Sequence, residues 1–356
     1  MTSPLKNILK PILESIEGIH LTAYLVNNGD IENLKSQLQE IVWEAESNLY
    51  LVKSIEERKK FLEPIYGLLN DAGILINMKN SIGIFRNQNS FRILNIPIAL
   101  DRQCHIADTF HVKPLLKWMQ FDRQFLVLEI KKRSVQISIG TSTTFKKVGE
   151  VHSEAHNQLI GTLAKWLDDN ICMSQSSSSV NAFVYSRKPL PKELLNILKT
   201  RNFFIWNLTK NESIRSISET LEFGRKVLLE EAKRNLSRKI IEFEFADRRN
   251  LAKKNIFQIA KAAIHGRVKK LLIADGINIF GRINRKTGGL AIHPVDLNHE
   301  DDDILDDIAQ AVLATGGEVV VAPKTEMPSN RPVMAILSEE NIETKLLKVK
   351  FKEVSL

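Results

Sequence analysis

The chain has 356 residues, 43% apolar and 26% charged. That length predicts two or three domains rather than one core, and the composition excludes collagen-like, coiled-coil and largely disordered chains. With 50 Lys and Arg against 42 Asp and Glu, the net charge of +8 favours an anionic partner. The two cysteines, Cys104 and Cys172, are too few for a disulfide framework and too far apart for a local redox or metal motif, so both read as free thiols of a reducing compartment. The N-terminus carries no signal-peptide pattern, and no apolar run approaches the roughly 20 residues of a membrane span, so a soluble, cytoplasmic protein is expected.

In chain order, residues 1–119 read helix, strand, helix, helix, strand. Residues 20–25 form the strand, 31–52 and 55–69 carry helical periodicity, and 81–98 alternate as a hairpin around Asn87 to Asn89. This segment holds 13 basic and 13 acidic residues and has no electrostatic reason of its own to bind nucleic acid. Residues 120–222 open with two strands, FLVLEI and VQISIG, around the basic turn Lys131, Lys132 and Arg133. A helix is expected over 153–170 with Ser153 as its N-cap, then a Ser-rich loop at 174–179. Strands at 181–186 and 202–208 enclose a helix after Pro191, which predicts a mixed sheet flanked by helices.

Residues 223–356 open with a long helix over 222–245 and a second over 247–265, stopped by Gly266 at the C′ position. A strand at 271–275, a strand pair turning at 286–289, an acidic helix over 301–315 stopped by Gly316 and Gly317, and strands at 318–323 and 333–337 predict an α/β layer. An additional edge strand with a basic face is expected at 345–354. Charge is polarised here: residues 223–293 hold 17 basic against 6 acidic residues, and 294–356 hold 6 against 13. Arg234, Arg238, Lys239, Arg248, Arg249, Lys253 and Lys254 repeat at helical spacing and form a candidate phosphate-binding stripe, joined by Lys131, Lys132 and Arg133. Single residues of such a stripe read equally well as solvated helix faces.

Chemistry is less visible. His152 and His156, four apart with Glu150 and Glu154 beside them, have the spacing of a metal pair on one helix face. No further ligand pair accompanies them, so two polar surface histidines are the favoured reading and no metal is expected. The aspartates at 301–307 lack the glycine and closing glutamate of an EF-hand loop and read as acids favoured by a helix N-terminus. No Walker A loop, GxGxxG or GxSxG occurs, and no cofactor is expected.

Three stretches carry a resemblance: DTFHVKPLL (108–116), AAIHGRVKKLLI (262–273), and DILDDIAQAVLATGGEVVVAPKTEMPSNRPVMAIL (303–337). In this order they resemble the bacterial archaeo-eukaryotic release factor family, particularly its third subfamily, whose relatives are the archaeal and eukaryotic class-one release factor and Pelota. The resemblance implies an α/β (α+β) chain of three domains. These are a release-factor-like N-terminal domain (1–119), a ribonuclease-H-like middle domain (120–222), and a C-terminal domain (223–356) similar to kink-turn-binding ribosomal proteins. It further implies a cytoplasmic factor of the ribosomal A site, with ribosome and rRNA as partners, possible delivery by a second translation factor, and no membrane.

Where the resembled release factors carry a catalytic Gly-Gly-Gln loop, this chain reads VGEVHSEAHN (148–157), and Gly-Gly-Gln occurs nowhere in it. The expected function is therefore ribosome rescue, surveillance or dormancy without peptide release. Two rivals stand beside it. One is an RNA or peptidyl-tRNA hydrolase using Glu150, His152, Glu154 and His156. The other is a protein-interaction module whose acidic helix at 301–307 docks a basic partner.

Overall fold

The computed structural model describes residues 4–15, 18–50, 53–78, 80–154, 156–171, 180–209, 217–293 and 302–338. The expected Ser-rich loop at 174–179, the edge strand at 345–354, Cys172 and Asp301 lie outside the described residues. The fold is mixed α/β, in two compact units. The first comprises the chain through Lys10, Asn95–Ile98 and Trp118–Arg234; the second comprises Pro11–Leu94, Ala99–Lys117 and the chain from Asn235 on. Among the described residues, no helix is long and apolar enough to cross a membrane.

The second unit begins within α1 (Pro4–Leu13) and continues into strand β1 (His20–Asn27). Helix α2 (Ile31–Leu49) starts where the Asp30 carboxylate accepts the Glu32 amide, and α3 (Ile55–Asn70) where Ser54 and Glu57 form a reciprocal capping box. Strands β2 (Asn80–Arg86) and β3 (Phe91–Ile96) flank a turn in which Asn87 accepts the amides of Asn89 and Ser90. Strand β4 (Gln103–Ala107), absent from the predicted elements, completes the order β3-β2-β1-β4, with β1 antiparallel to β2 and β4. Leu21, Ala23 and Leu25 of β1 bury against Leu34, Leu38 and Ile41 of α2 and Phe61, Leu62 and Ile65 of α3, which fixes both helices on one face of the sheet. A further unpredicted element, α4 (Lys113–Phe121), follows β4.

The first unit is built on β5 (Phe125–Ile130), β6 (Ser134–Gly140), β7 (Phe145–His152), α5 (His156–Asn170), β8 (Val180–Ser186), α6 (Lys192–Thr200) and β9 (Phe203–Thr209). Its sheet has the order β7-β6-β5-β8-β9, antiparallel through the first three strands and parallel from β5 to β9. The expected helix start at Ser153 is corrected: β7 runs to His152, Ser153 donates its amide to the Arg133 carbonyl, and α5 begins at His156. The Phe125 ring is enclosed by two glycines, and a Cβ built at Gly140 or Gly224 would lie 2.2 or 2.5 Å from it. Gly140→Ala and Gly224→Ala are each expected to lower stability by about 1–3 kcal/mol, and Phe125→Leu to restore part of the loss, measured by urea unfolding. A full-stability Gly140→Ala variant would show that the ring can step aside.

Helix α7 (Ile217–Arg248), whose residues through Arg234 belong to the first unit, extends past its expected end, and Asn250, with φ +56°, stops it. The Asn250 and Leu251 amides return to the Asp247 and Ala246 carbonyls, a helix stop with Asn in the position usually held by glycine. The second predicted helix is therefore shorter: strand β10 (Ala252–Lys253) intervenes, and α8 (Ile256–Ile264) starts on Asn255, whose side chain accepts the Phe257 and Gln258 amides. Gly266, at φ +65°, ends α8 as expected.

Beyond it run β11 (Val268–Asp275), β12 (Phe280–Ile283), β13 (Leu290–Ile292), β14 (Asp302–Asp303), α9 (Ile304–Ala314), β15 (Glu318–Pro323) and β16 (Val333–Leu337). They form two small sheets of order β10-β16-β11-β15 and β13-β12-β14. Strand β11 is parallel to β15 and antiparallel to β16, and its buried run Leu271–Ala274 is the continuous apolar pattern of a strand covered on both faces.

Candidate functional site

The residues weighed for catalysis lie on different elements. Glu150 and His152 stand on β7, so the histidine pair does not share one helix face. The His152 ring is largely exposed, with Nε2 3.6 Å from Glu150. Glu150 accepts a 2.7 Å bond from Lys147 Nζ, and that bond, with a second from Ser134, holds its carboxyl below the usual range. A carboxylate held low is a poor proton acceptor near neutral pH. Glu154 is exposed in the following turn, and the His156 side chain lies outside the described positions. Among the described residues, no group of three His, Cys, Asp or Glu side chains is placed to hold a metal ion.

The basic residues divide between the units. Lys131, Lys132 and Arg133 project from the β5–β6 turn, and Arg234 is exposed on the first-unit part of α7. In the second unit, two members of the expected stripe already have partners. Lys239 reaches Glu318 at 2.5 Å and Lys254 reaches Asp247 at 2.8 Å. Arg249 lies 4.1 Å from the centre of the Phe245 ring, an exposed cation on an aromatic face, and Arg238 sits 3.5 Å from the Asn235 side-chain oxygen. Arg234, Arg248 and Lys253 have no carboxylate partner among the described residues and remain available to a phosphate.

A third group went unrecognised in the sequence. The acidic stretch expected on a solvated helix face is buried: Asp302, Asp303, Asp306 and Asp307 are all less than a tenth exposed. Helix α9 is apolar around most of its circumference, so burying Ile304, Leu305, Ile308 and Val312 carries the aspartates inward with them. Their partners come from the start of α4 and the segment before it. The Val112 and Lys113 amides donate to Asp306 at 3.0 and 2.6 Å, so a carboxylate of α9 caps the N-terminus of α4. Lys113 Nζ pairs with Asp303 and donates to the Ile277 carbonyl at 2.7 Å. Thr109 donates to Asp302 at 2.9 Å, and Arg285 reaches Asp307 at 3.1 Å. The Gln310 amide bridges Asp306 and the Phe110 carbonyl.

Four carboxylates thus share two cations, and burial supplies the remaining balance by raising proton affinity. Burial first, and the neighbouring Asp303 second, push Asp306 up to about 7. Asp307 is pushed up to about 6 by burial, against the pull of Arg285, and Asp302 is raised well above the ordinary carboxylate range for the same first reason. His105 and His111, stacked with ring centres 4.2 Å apart, move the opposite way: burial lowers His105 to about 4 and His111 well below the ordinary value. The cluster is thus a structural lock rather than an open reaction site, with every carboxylate oriented by a donor of its own chain. It also removes the acidic helix as an exposed dock for a basic partner, because these side chains do not reach the surface.

No family model matches the chain, and no curated protein matches it. Among solved structures it is similar to the archaeal translation termination factor aRF1, at 10% identity over 94% of this chain and 96% of that one, with a TM-score of 0.26. It is also similar to Archaeoglobus fulgidus Pelota, at 12% identity over 93% and 97% with a TM-score of 0.37. A third likeness, to a model of ribosome-bound archaeal Pelota and ABCE1, has 10% identity over 70% and 72% and a TM-score of 0.43. At such identities and scores the likeness carries no role over to this chain.

Proposed function

We propose that this chain is a ribosome-associated translation factor resembling release factors and Pelota, acting in rescue, surveillance or dormancy through RNA and ribosome binding, without peptide-release chemistry. One observation carries the reading. Two of the stretches that bear the family resemblance, 108–116 and 303–337, are each other's partners: Thr109, Val112 and Lys113 meet Asp307, Asp306 and Asp303 across roughly 190 residues of chain. A coincidental pair of matches has no reason to coincide with a buried contact, whereas a shared core does. The reading keeps domains at 1–119, 120–222 and 223–356, and the strand order of the five-stranded sheet supports a ribonuclease-H-like middle domain. The absence of Gly-Gly-Gln supports a factor that does not release peptide.

The binding energy in this reading comes from phosphate neutralisation, with specificity from shape rather than base reading. If about six phosphates are contacted, affinity for ribosomes falls on the order of a thousandfold between 50 and 200 mM salt. Co-sedimentation across a salt series tests this. Arg248→Glu with Lys253→Glu is expected to weaken binding at low salt and flatten the salt slope. Unchanged binding by that double variant would remove these residues from the interface, and a salt-indifferent curve for the wild type would overturn the phosphate-driven reading.

A further inference from the structure

The neutral N-terminal segment carries an aromatic surface that neither the core nor the basic stripe uses. On α2, the residues packed inward are Leu34, Leu38, Ile41, Ala45 and Leu49. Trp43 and Tyr50, seven apart and so on a common face, point outward instead, 70% and 69% exposed, and Ile55 at the first turn of α3 is 63% exposed. With Glu46, Arg58 and Lys59 they line an open cleft of about 470 Å³ between the end of α2 and the start of α3. Large exposed aromatics placed together on a water-soluble surface mark a contact site rather than a packing accident.

The charges lining the cleft decide what fits it. Its one carboxylate, Glu46, is engaged as acceptor of the Tyr66 hydroxyl, and nearby Glu57 is turned into the capping box with Ser54. Arg58 lies 4.9 Å over the Tyr50 ring and Lys59 has no carboxylate partner among the described residues, so the cleft lining carries two cations against the single Glu46 carboxylate, an excess of one positive charge. Flat π surfaces beside cations suit an occupant that is itself flat and carries negative charge. A polyproline peptide fills aromatic grooves but brings no anion for Arg58 and Lys59. An acidic peptide brings the anion but not the flat face.

We infer that this cleft is a stacking site for one or two unpaired RNA nucleotides, with Trp43 supplying the base platform and Arg58 and Lys59 the phosphate contacts. The inference rests on the reading of the chain as an RNA-binding translation factor, and it assigns to the charge-neutral segment a contact that net charge conceals. Stacking is sequence-tolerant and contributes about 1–3 kcal/mol per base, so removing the platform weakens binding roughly 5- to 150-fold. With about two phosphates held, the salt dependence is shallow, on the order of sevenfold between 50 and 200 mM.

The test uses the full chain, a single-stranded adenine octanucleotide, the same backbone lacking bases, and a proline-rich peptide. Titration of the octanucleotide is expected to quench tryptophan emission saturably in the wild type and not in Trp43→Phe, while Trp118, buried at 3% exposure, stays unaffected. Trp43→Ala, a surface change that leaves the core intact, is expected to lose affinity for the octanucleotide and to retain part of its ribosome co-sedimentation. Absence of quenching, equal binding of the abasic backbone, or quenching by the peptide alone would overturn the assignment. If the octanucleotide fails while wild-type ribosome binding persists, the cleft assignment falls and the translation-factor reading stands; if both fail, the reading falls with it.

Discussion

Lys113→Met is expected to be the most damaging single substitution in the second unit, lowering unfolding free energy by about 3–5 kcal/mol. Lys113 is 3% exposed, so its ammonium exchanged full hydration for the Asp303 carboxylate and the Ile277 carbonyl. Met keeps most of the side-chain volume and deletes the charge. The loss is then that of an unpaired buried carboxylate plus an orphaned carbonyl, not of packing. Asp303 cannot turn away to water, because it also caps α9 through the Leu305 amide and accepts the Ile279 amide. The double variant Lys113→Met with Asp303→Asn should therefore recover more than half of the loss, since Asn retains the capping oxygen without the charge. Urea unfolding of the single and double variants measures both terms. A loss under about 1 kcal/mol for Lys113→Met would mean that the pair is hydrated, as exposed pairs of that strength are.

The same cluster shows which parts of this molecule were legible in the sequence. Alternation and apolar runs sufficed for β1, β5, β6 and β11, because each buries one or both faces of a strand and periodicity reports burial directly. Strand β7 was missed because Lys146, Lys147 and Glu150 belong to a sheet edge, where charge replaces alternation, and because its register against β6 slips between Ile137 and Ser138. The end of α7 was missed because Asn250 does the work expected of glycine. The aspartates of α9 were misread for a different reason. Their local context is that of any acidic helix start, and the groups that justify burying them, Lys113 and the Val112 amide, lie roughly 190 residues away. A signal was nevertheless present: apolar residues at 304, 305, 308, 309 and 312 leave α9 no solvent face on which to put Asp306 and Asp307.

Stability should fall by about 1–2 kcal/mol between pH 6 and pH 8. Asp306 at about 7 and Asp307 at about 6 hold protons more tightly when folded than an ordinary aspartate near 3.9. Their contribution is complete below the unfolded value and is lost as pH rises through 6 to 7; Asp302, also raised by burial, acts in the same direction. His105 and His111 oppose them. Both are lowered by burial, so their contribution is present above the ordinary histidine value near 6.5 and is lost as pH falls toward 4. Below about 6.5 the two sets compete, and above it only the carboxylates still titrate, which places the decline between pH 6 and 8. The positive charges facing the carboxylates, Lys113 from α4 and Arg285 from the turn after β12, moderate the shift without reversing its sign. Urea midpoints at pH 6 and 8 test this, with Asp306→Asn as the control, since Asn still offers an oxygen to the Val112 and Lys113 amides but has no proton to lose. The variant should show less than half of the wild-type difference. Equal midpoints in the wild type, or an undiminished slope in Asp306→Asn, would mean that Asp306 is already ionised in the folded state and that its three N–H donors outweigh its burial.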